Sequence, residues 1–419
     1  MRFFYNLLTY LLFLPYVGYW LVRGVTNRAY LHRLGERLGI GYPRLEGCIW
    51  IHAVSVGEVV AAVPLIRALG RRYPDRPLLV TTVTPTGAAR VAALFGDEVH
   101  HTYIPFETPP MVDRFFAATN PDVALVLETE IWPNLYRGCG VRGIPLVLVS
   151  ARISPKSVRS YRRLLPLFRE TLSHGIVIAA QSEADAERFL SLGAAPERTR
   201  VTGNIKFDVE LAPDLPVRGR ELRGELFGER PVWIAASTHE GEEDLVLEAH
   251  RTLQEQRPDL LLVLVPRHPQ RFQGVRELVV KQRLSVVART DGVPCAASTQ
   301  VFLGDTMGEL TLFYAAADVA FVGGSLVPVG GHNLLEPAAL GLPLLSGPYV
   351  FNAQEIADMF VARQACRIVN DPGELADAVA GLLSDAATAS RLGEAGRDIL
   401  ERNRGALASL MAMIEPLVD

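Results

Sequence analysis

The sequence is poor in cysteine and has no large excess of either charge, and each shortage excludes a class of protein. Its four cysteines are scattered without any CxxC or CxH pair: Cys48, Cys139, Cys295 and Cys366. This spacing argues against a zinc site and a disulfide framework, and it fits a reducing, cytosolic setting. The formal net charge of -4 does not predict the broad basic surface of a general nucleic-acid binder. We therefore expect no nucleic-acid partner.

Metal-binding motifs are also missing. The sequence has no HExxH motif, no DxD motif with a second acid and no cluster of histidine and cysteine, which are the patterns that mark catalytic metals. His239 and His332 are metal ligands only in principle. We expect catalysis without a metal and without a cofactor.

Charge is absent from one long stretch at the N-terminus. Residues 3–22, FFYNLLTYLLFLPYVGYWLV, carry no formal charge and are long enough to cross a bilayer as a helix. Arg23, Arg28, Arg33 and Arg37 follow, so the positive-inside rule places this flank and the rest of the chain in the cytoplasm. A helix or hairpin that lies in the membrane interface is the open alternative. Both readings place the protein at a membrane surface.

The remaining sequence alternates short apolar runs with longer amphipathic ones. This alternation, in a chain of 419 residues that are 49% hydrophobic, predicts an α/β fold with two Rossmann-like domains, each built on a parallel sheet. The predicted strands of the first half are 48–53, 77–83, 122–128, 145–151 and 175–180. Those of the second half are 232–237, 260–266, 301–304, 318–324 and 343–347. Predicted helices include residues 58–72, 242–256, 307–316 and 333–339.

The pattern breaks near Leu211 at LAPDLPVRGR, where two prolines remove hydrogen-bond donors. We therefore predict a membrane anchor at 1–24, a first domain at 25–210, a linker at 211–228 and a second domain at 229–419. The final helix is expected to pack back across the first domain. Two such domains place a cleft between the C-terminal ends of their sheets, where open parallel sheets bind ligands.

Polar residues follow the predicted strands of the first domain. Glu58 opens a helix after the first strand and is either a general base or a carboxylate that merely complements the helix dipole. Glu128 and Glu130 end the third strand, and in an extended segment they point to opposite sides, so at most one faces the cleft. Lys206, near the linker, either offsets negative charge on a reacting group or is a solvated loop lysine.

The second domain has its own polar strand ends. Arg267 follows a very apolar strand and can hold a phosphate or carboxylate. The segment AFVGGS (320–325), followed by GGHNLLEP (330–337), predicts a strand, a glycine turn and a helix with Glu336 in its first turn. Such a turn suits a phosphate with the acid at a ribose. An ordinary strand-to-helix connection explains the spacing equally well.

Taken together, these motifs resemble a known family. The segments that carry the resemblance span almost the whole chain, in order: HAVSVGE (52–58), TPTG (84–87), ETEIWPN (128–134), GNIKFD (203–208), STHEGEE (237–243), VPRHPQRF (265–272), GDTMGEL (304–310) and FVGGSLVPVGGHNLLEPA (321–338). They look like the 3-deoxy-D-manno-octulosonic acid (Kdo) transferases of lipopolysaccharide and lipid A biosynthesis in Gram-negative bacteria. These are two-domain glycosyltransferases of the GT-B architecture.

The resemblance implies transfer of Kdo from CMP-Kdo to the lipid A precursor, lipid IVA, at the cytoplasmic face of the inner membrane. It implies that Glu58 is the proton acceptor and that Glu128 and Lys206 stabilise the transition state. It also implies that CMP is held by Pro266, Arg267, Met307, Gly308, Glu309, Asn333, Leu334, Leu335 and Glu336. The N-terminal arginines would attract an anionic membrane surface.

Two rival functions stay open on the sequence. A nucleotide-sugar epimerase, or a glycosyltransferase with another donor, shares the same architecture, although the membrane segment weighs against a soluble epimerase. The other rival is a membrane-bound nucleotide-binding module without catalytic activity.

Overall fold

The computed structural model describes residues 1–419, which form two compact units. The first unit consists of residues 1–208 and 403–419, and the second of residues 209–402. Each unit is built on one seven-stranded sheet whose paired strands all run parallel. The predicted α/β fold with two parallel sheets is therefore confirmed.

The sheet of the first unit has the strand order β3-β2-β1-β4-β5-β6-β7. Its strands are β1 (Cys48–His52), β2 (Leu78–Thr82), β3 (His100–Tyr103), β4 (Pro121–Leu127), β5 (Leu146–Ala151), β6 (Val177–Ala180) and β7 (Thr199–Val201). The helices of residues 1–208 are α1 (Arg2–Leu11), α2 (Phe13–Thr26), α3 (Leu34–Arg37), α4 (Val56–Arg72), α5 (Pro85–Phe95), α6 (Pro109–Thr119), α7 (Pro133–Arg142), α8 (Pro155–Tyr161), α9 (Leu165–Leu172) and α10 (Glu183–Ser191).

The sheet of the second unit has the order β10-β11-β9-β8-β12-β13-β14. Its strands are β8 (Val232–Thr238), β9 (Leu261–Pro266), β10 (Val286–Ala288), β11 (Val301–Leu303), β12 (Val319–Val322), β13 (Leu344–Ser346) and β14 (Cys366–Ile368). The helices are α11 (Leu215–Leu226), α12 (Glu242–Gln256), α13 (Phe272–Lys281), α14 (Leu310–Ala315), α15 (Leu335–Ala339), α16 (Gln354–Ala362), α17 (Pro372–Ser384) and α18 (Ala386–Asn403). The last helix of the chain, α19 (Ala406–Val418), belongs to the first unit.

Both faces of each sheet are buried, which explains why the inner strands are mostly apolar. In β1, Trp50 packs into a core on one face of the sheet, whereas Ile49 and Ile51 pack into a second core on the other face. Residues that alternate along a strand point to opposite faces, so a strand covered on both sides needs apolar residues throughout. Leu410 and Ile414 of α19 join the second of these cores.

The segment predicted as a linker is partly helical. Helix α11 occupies most of residues 211–228 and is counted with the second unit. Its Leu215 and Leu222 are buried, and Arg223 forms a two-pronged ion pair with Asp318 at 2.6 and 2.9 Å. The prolines Pro213 and Pro216 stand before and in the first turn of this helix, where a missing N–H donor costs little.

The apolar N-terminal run is helical from Arg2 to Thr26, and it is long and apolar enough to cross a membrane. One face lies against the first unit: Tyr16 stacks on Phe106 with ring centroids 4.3 Å apart, and the Arg37 guanidinium lies 3.8 Å over the Trp20 ring. The other face is solvent-exposed and apolar, with Phe3, Phe4, Leu7, Leu8, Leu11, Leu14, Val22 and Val25.

Candidate active site

Glu58 lies in the first turn of α4, directly after β1. Ser55 caps the helix by accepting the Glu58 N–H, and the Glu58 carboxylate accepts the Val54 N–H at 2.7 Å. The Glu58 carboxylate reaches back past the cap residue to the N–H before it, and the first turn is the place where a carboxylate complements the helix dipole. Burial, together with the nearby charges of Glu128 and Glu130, raises the pKa of Glu58 to about 7 although the Val54 hydrogen bond opposes the rise. A carboxylate with this pKa is well matched to accept a proton near neutral pH.

Glu128 joins two cations in one ion-pair cluster. Its carboxylate oxygens contact Lys206 Nζ at 2.7 Å and Arg152 Nε at 2.9 Å. Burial opposes ionisation of Glu128, but Lys206 and Arg152 outweigh it, so the pKa of Glu128 is lowered. The Lys206 ammonium is therefore fixed in place by a carboxylate, which excludes the interpretation of a freely solvated loop lysine.

The backbone brings these groups together at one edge of the sheet. Glu58, Glu128 and Arg152 each follow a strand, β1, β4 and β5 respectively, and these three strands are neighbours. Lys206 lies in a single turn of 3₁₀ helix, Ile205–Phe207, beyond the end of β7. Because all strands are parallel, their carboxyl ends meet at the same edge.

The prediction that Glu128 and Glu130 point to opposite sides assumed an extended segment, and this assumption is wrong. Strand β4 ends at Leu127, and Glu128 has a positive φ of 56°, which turns the chain. Glu128 then faces Lys206, while Glu130 accepts a hydrogen bond from Trp132 Nε1 at 2.7 Å. Both charges nevertheless act on Glu58. A left-handed conformation at a non-glycine residue is strained and is frequent at functional sites.

In the second unit, the glycine turn after β12 is bound by a buried acid. The Glu242 carboxylate accepts the N–H groups of Gly324, Ser325 and Leu326 at 2.6, 2.9 and 2.9 Å. Glu242 is fully buried. The amides that were candidates for a phosphate are thus already satisfied, and the first part of the glycine-rich segment is a structural turn.

The second pair of glycines is needed for close packing. Gly330 and Gly331 have φ values of 112° and 77°. A side chain on Gly330 would collide with Asn352 and Phe351, and one on Gly331 would crowd the Tyr349 backbone. These glycines let the loop lie against residues 349–352, as positions with positive φ and close backbone approach require.

Arg267 follows β9 and stands among imidazoles. His239 Nε2 lies 2.8 Å from His332 Nε2, and the ring of His268 packs edge-on against His239. Burial, with a contribution from the positive charge of Arg267, lowers the pKa of His239 to about 4 and that of His332 to about 3. No carboxylate forms a salt bridge with the Arg267 guanidinium. The edge of the sheet therefore carries an uncompensated positive charge, which suits an anionic ligand.

The turn Met307–Glu309 differs from its prediction. Helix α14 begins at Leu310, not at Met307, because Gly308 has a φ of 86° and cannot continue a helix. Glu309 pairs with Arg289 at 3.0 Å, and these hydrogen bonds lower its pKa despite partial burial. A pocket of about 160 Å³ lies beside this turn, lined in part by Arg218, Gly308 and Glu309.

The predicted helix from Asn333 is also shorter than expected. Helix α15 begins at Leu335, whose N–H is bound by Asn333 Oδ1 at 3.0 Å, and Asn333 Nδ2 donates to Glu336 Oε1 at 3.1 Å. The side chains of Leu334 and Leu335 are buried in the core. A ligand can therefore reach only the backbone of these two leucines, whereas Asn333 and Glu336 offer side chains.

Comparison with known proteins identifies the family. Residues 32–209 match the family described as 3-Deoxy-D-manno-octulosonic-acid transferase (kdotransferase), and residues 230–399 match Glycosyl transferases group 1. The 3-deoxy-D-manno-octulosonic acid transferase of Haemophilus influenzae is 42% identical over 426 residues, covering 100% of this chain and 99% of that protein. The chain belongs to the Kdo transferase family. The Bordetella pertussis transferase is 37% identical, over 88% of this chain and 87% of its own.

Solved structures agree with the architecture of this Kdo transferase. UDP-GlcNAc 2-epimerase from Neisseria meningitidis, bound to UDP-GlcNAc, has a TM-score of 0.55 at 15% identity, covering 88% of this chain and 100% of that chain. A glycosyltransferase from Rickettsia africae has a TM-score of 0.53 at 14% identity, over 90% and 100%. At such identities the likeness shows the fold alone. The GT-B class predicted from the sequence is confirmed, and the protein is a glycosyltransferase.

Arg152 and Glu242 are residues of this Kdo transferase that sequence reasoning missed. Arg152 had a usable signal, a basic residue directly after the apolar strand β5. Glu242 had no usable signal, because many helices have an acidic residue in their first turn. Its amide partners lie 82 to 84 residues further along the chain.

Proposed function

We propose that this Kdo transferase moves Kdo from CMP-Kdo to the lipid A precursor, lipid IVA, with inversion of the anomeric centre. The observation that carries the proposal is the match to Kdo transferases over the full length of the chain. CMP-Kdo as donor and lipid IVA as acceptor are what the resemblance to this family implies. The geometry supports the roles of the individual residues in such a transfer.

Glu58 acts as the general base. An acceptor hydroxyl attacks the anomeric carbon of Kdo, its proton passes to the Glu58 carboxylate, and the bond to the CMP phosphate breaks with its electron pair leaving on CMP. The pKa of about 7 supports this role, because the group is ionised near neutral pH and still basic enough to take the proton. Glu58 need not leave its capping position, since a carboxylate has acceptor sites beyond those that the Val54 N–H occupies.

Lys206 and Arg152 supply positive charge where the transfer develops negative charge. Glu128 holds both cations at hydrogen-bond distance, so they need little reorganisation during the reaction. Preorganised charges of this kind supply much of the rate enhancement in many enzymes. CMP is itself a good leaving group, so positioning and electrostatics carry much of the catalysis.

The second unit holds CMP. Arg267, without a carboxylate partner and beside three imidazoles, binds the phosphate. Glu336 contacts the ribose, and the backbone at Pro266, Leu334 and Leu335 completes the site. The turn of Met307, Gly308 and Glu309 lines the base, next to the pocket of about 160 Å³. The predicted CMP residues thus lie at or beyond the ends of β9, β11 and β12 within one sheet.

Purified enzyme incubated with labelled CMP-Kdo and lipid IVA tests the donor and the acceptor together. The proposal predicts label in the lipid fraction and release of CMP. Unlabelled lipid, together with turnover of a UDP-sugar supplied in parallel, would show that the donor is wrong. Release of CMP without labelled lipid would show that the acceptor is wrong.

The N-terminal helix lies in the membrane interface rather than across the bilayer. Arg2 pairs with Glu170 at 2.7 Å near one end, and Trp20 packs on Arg37 near the other. A spanning helix would carry the charged partners Glu170 and Arg37 to hydrocarbon depth, where they are costly. The exposed apolar face is instead free to enter one leaflet of the inner membrane from the cytoplasmic side, beside the arginines of the flank.

Labelling of an introduced thiol separates the two topologies. Position 3 is exposed on the apolar face, so Phe3→Cys places a thiol near the N-terminus. An interfacial helix predicts reaction with a membrane-impermeant reagent only after the membranes are dissolved in detergent, because the apolar face that carries residue 3 lies in the lipid. Reaction in intact spheroplasts would contradict it, because a spanning helix brings residue 3 to the outer side. The wild-type chain, with four cysteines of its own, is the control.

A further inference from the structure

The first turns of the N-terminal helix make specific polar contacts that membrane attachment does not require. Arg2 Nη2 lies 3.3 Å from Asn134 Oδ1, and Tyr5 Oη donates to Glu107 Oε2 at 2.7 Å. Apolar packing alone would hold an interfacial helix on the unit. Hydrogen bonds of defined geometry fix its register as well.

Glu107, the partner of Tyr5, also binds the first turn of helix α7. The side chain is only 3% exposed, and its Oε1 accepts the N–H groups of Asn134 and Leu135 at 2.7 and 2.9 Å. Asn134 Nδ2 in turn donates to the Glu107 carbonyl at 2.8 Å. A carboxylate here satisfies free N–H groups of the first turn and complements the helix dipole. Glu107 thus joins the N-terminal helix to the start of α7.

Helix α7 holds the acidic segment beside Glu58. Tyr136, in the second turn of α7, donates from its hydroxyl to the Glu130 carbonyl at 2.9 Å. Trp132, the residue directly before α7, donates from its indole N–H to the Glu130 carboxylate at 2.7 Å. The charges of Glu130 and Glu128 raise the pKa of Glu58. A shift of α7 therefore moves the groups that tune the proposed base.

We propose that the N-terminal helix is a positioning element of the active site as well as a membrane anchor. Arg2 and Tyr5 set the position of α7 through Glu107 and Asn134, and α7 sets the position of Glu130. Binding of the helix to a lipid surface and positioning of the acidic groups beside Glu58 are then coupled. This inference rests on the proposed function, since it assigns positioning residues to that reaction.

Tyr5→Phe tests the coupling, with Tyr10→Phe as the matched control because Tyr10 is exposed on the same helix. Transfer is measured in detergent micelles on solubilised lipid acceptor, where membrane attachment no longer limits the rate. We expect Tyr5→Phe to lower kcat about tenfold, the loss expected for one hydrogen bond to a charged group. Tyr10→Phe should match wild type. Both variants should sediment with membranes as the wild type does.

The pH profile separates positioning from loss of structure. Burial raises the pKa of Glu107 to about 7, and the hydrogen bond from Tyr5, the amides of residues 134 and 135 and the charge of Arg2 oppose this rise. Without the Tyr5 donor the pKa of Glu107 rises, so Glu107 stays protonated to a higher pH. In Tyr5→Phe, the fall of kcat on the acid side should therefore begin at a higher pH than in the wild type. When residue 107 no longer titrates, in a Glu107→Gln background, Tyr5→Phe should not shift the pH profile.

Three results are decisive. If Tyr5→Phe and Tyr10→Phe share the wild-type kcat and pH profile, the helix is an anchor only and the inference is wrong. If the wild type itself forms no Kdo lipid, the proposed function fails instead. If Tyr5→Phe unfolds more easily than the wild type, Arg2→Gln replaces it, because the Arg2 contact reaches Asn134 directly. A wild-type kcat in Arg2→Gln would then overturn the inference.

Discussion

At the scale of residues, the proposed active site contains one carboxyl group with a raised pKa and one with a lowered pKa. Burial and two neighbouring carboxylates raise the pKa of Glu58, whereas Lys206 and Arg152 lower the pKa of Glu128. Two carboxylates pushed in opposite directions commonly take different roles in one reaction. These opposite shifts support the proposed roles of Glu58 as the base and of Glu128 as the carboxylate that holds the two cations, which residue type alone does not distinguish.

Glu58→Gln should lower kcat by at least about 100-fold, the contribution typical of a general base. The capping hydrogen bond from Val54 is retained by the amide oxygen, so binding of CMP should be unchanged. Glu187→Gln, an exposed glutamate of α10, should have wild-type activity. Equal rates for Glu58→Gln and wild type would mean that another group takes the proton.

The pH dependence of the wild type follows from the same pKa. Only the ionised carboxylate accepts a proton, and the pKa of Glu58 is raised from 4.5 to about 7. The kcat/KM should therefore fall as the pH drops through about 7 and level off above it. A profile that stays flat down to pH 5 would contradict the raised pKa.

Lys206→Met should lower kcat about 100-fold with little change in KM, because a preorganised charge acts mainly in the transition state. The matched control is Lys281→Met, an exposed lysine at the end of α13. A change in KM alone would indicate that Lys206 binds substrate rather than stabilising the transition state.

At the scale of elements, inner strands were predictable and edge strands were not. All ten strands predicted from apolar runs are present. The four that were missed, β3, β7, β10 and β14, are the four edges of the two sheets. An edge strand is short and partly exposed, so it needs no apolar run; β7 has the sequence Thr-Arg-Val and is largely exposed. The ion pair of Glu128 and Lys206 was equally hidden, because its partners are 78 residues apart.

Glu242→Gln should destabilise the second unit. The carboxylate binds three backbone N–H groups of the loop after β12, and an amide replaces one of its acceptor oxygens by a donor. Loss of buried hydrogen bonds should lower the free energy of unfolding by about 1–3 kcal/mol. Urea denaturation measures this, with exposed Glu240→Gln as the neighbouring control. Equal stability of the two variants would show that the loop is held by other contacts.

At the scale of the whole molecule, the chain builds the first unit from its two ends. Residues 403–419 return to the first unit after residues 209–402 have formed the second. The Asp208 carboxylate holds the start of α19 against the first unit, because it accepts hydrogen bonds from the N–H groups of Gly405 and Leu407 at 2.8 and 2.6 Å. The sequence indicated a helical tail and suggested where it packs, but the acid that caps it lies 197 residues away. We keep the four-part division of the chain as a proposal.

Leu410→Ala tests the contribution of the last helix to the first unit. Leu410 is fully buried in the core beneath that sheet, so its truncation should lower the free energy of unfolding by about 2–5 kcal/mol. Ser409→Ala, at an exposed neighbouring position, should change it little. An unaltered stability in Leu410→Ala would mean that α19 is dispensable for the unit.

Mass spectrometry of the lipid product tests the central claim most directly. Purified enzyme is supplied with CMP-Kdo and lipid IVA, and the product mass counts the sugars transferred. The account predicts a mass increase by a whole number of Kdo units with the wild type and an unmodified acceptor with Glu58→Gln. An unmodified acceptor with the wild-type enzyme, while CMP-Kdo remains intact, would contradict it.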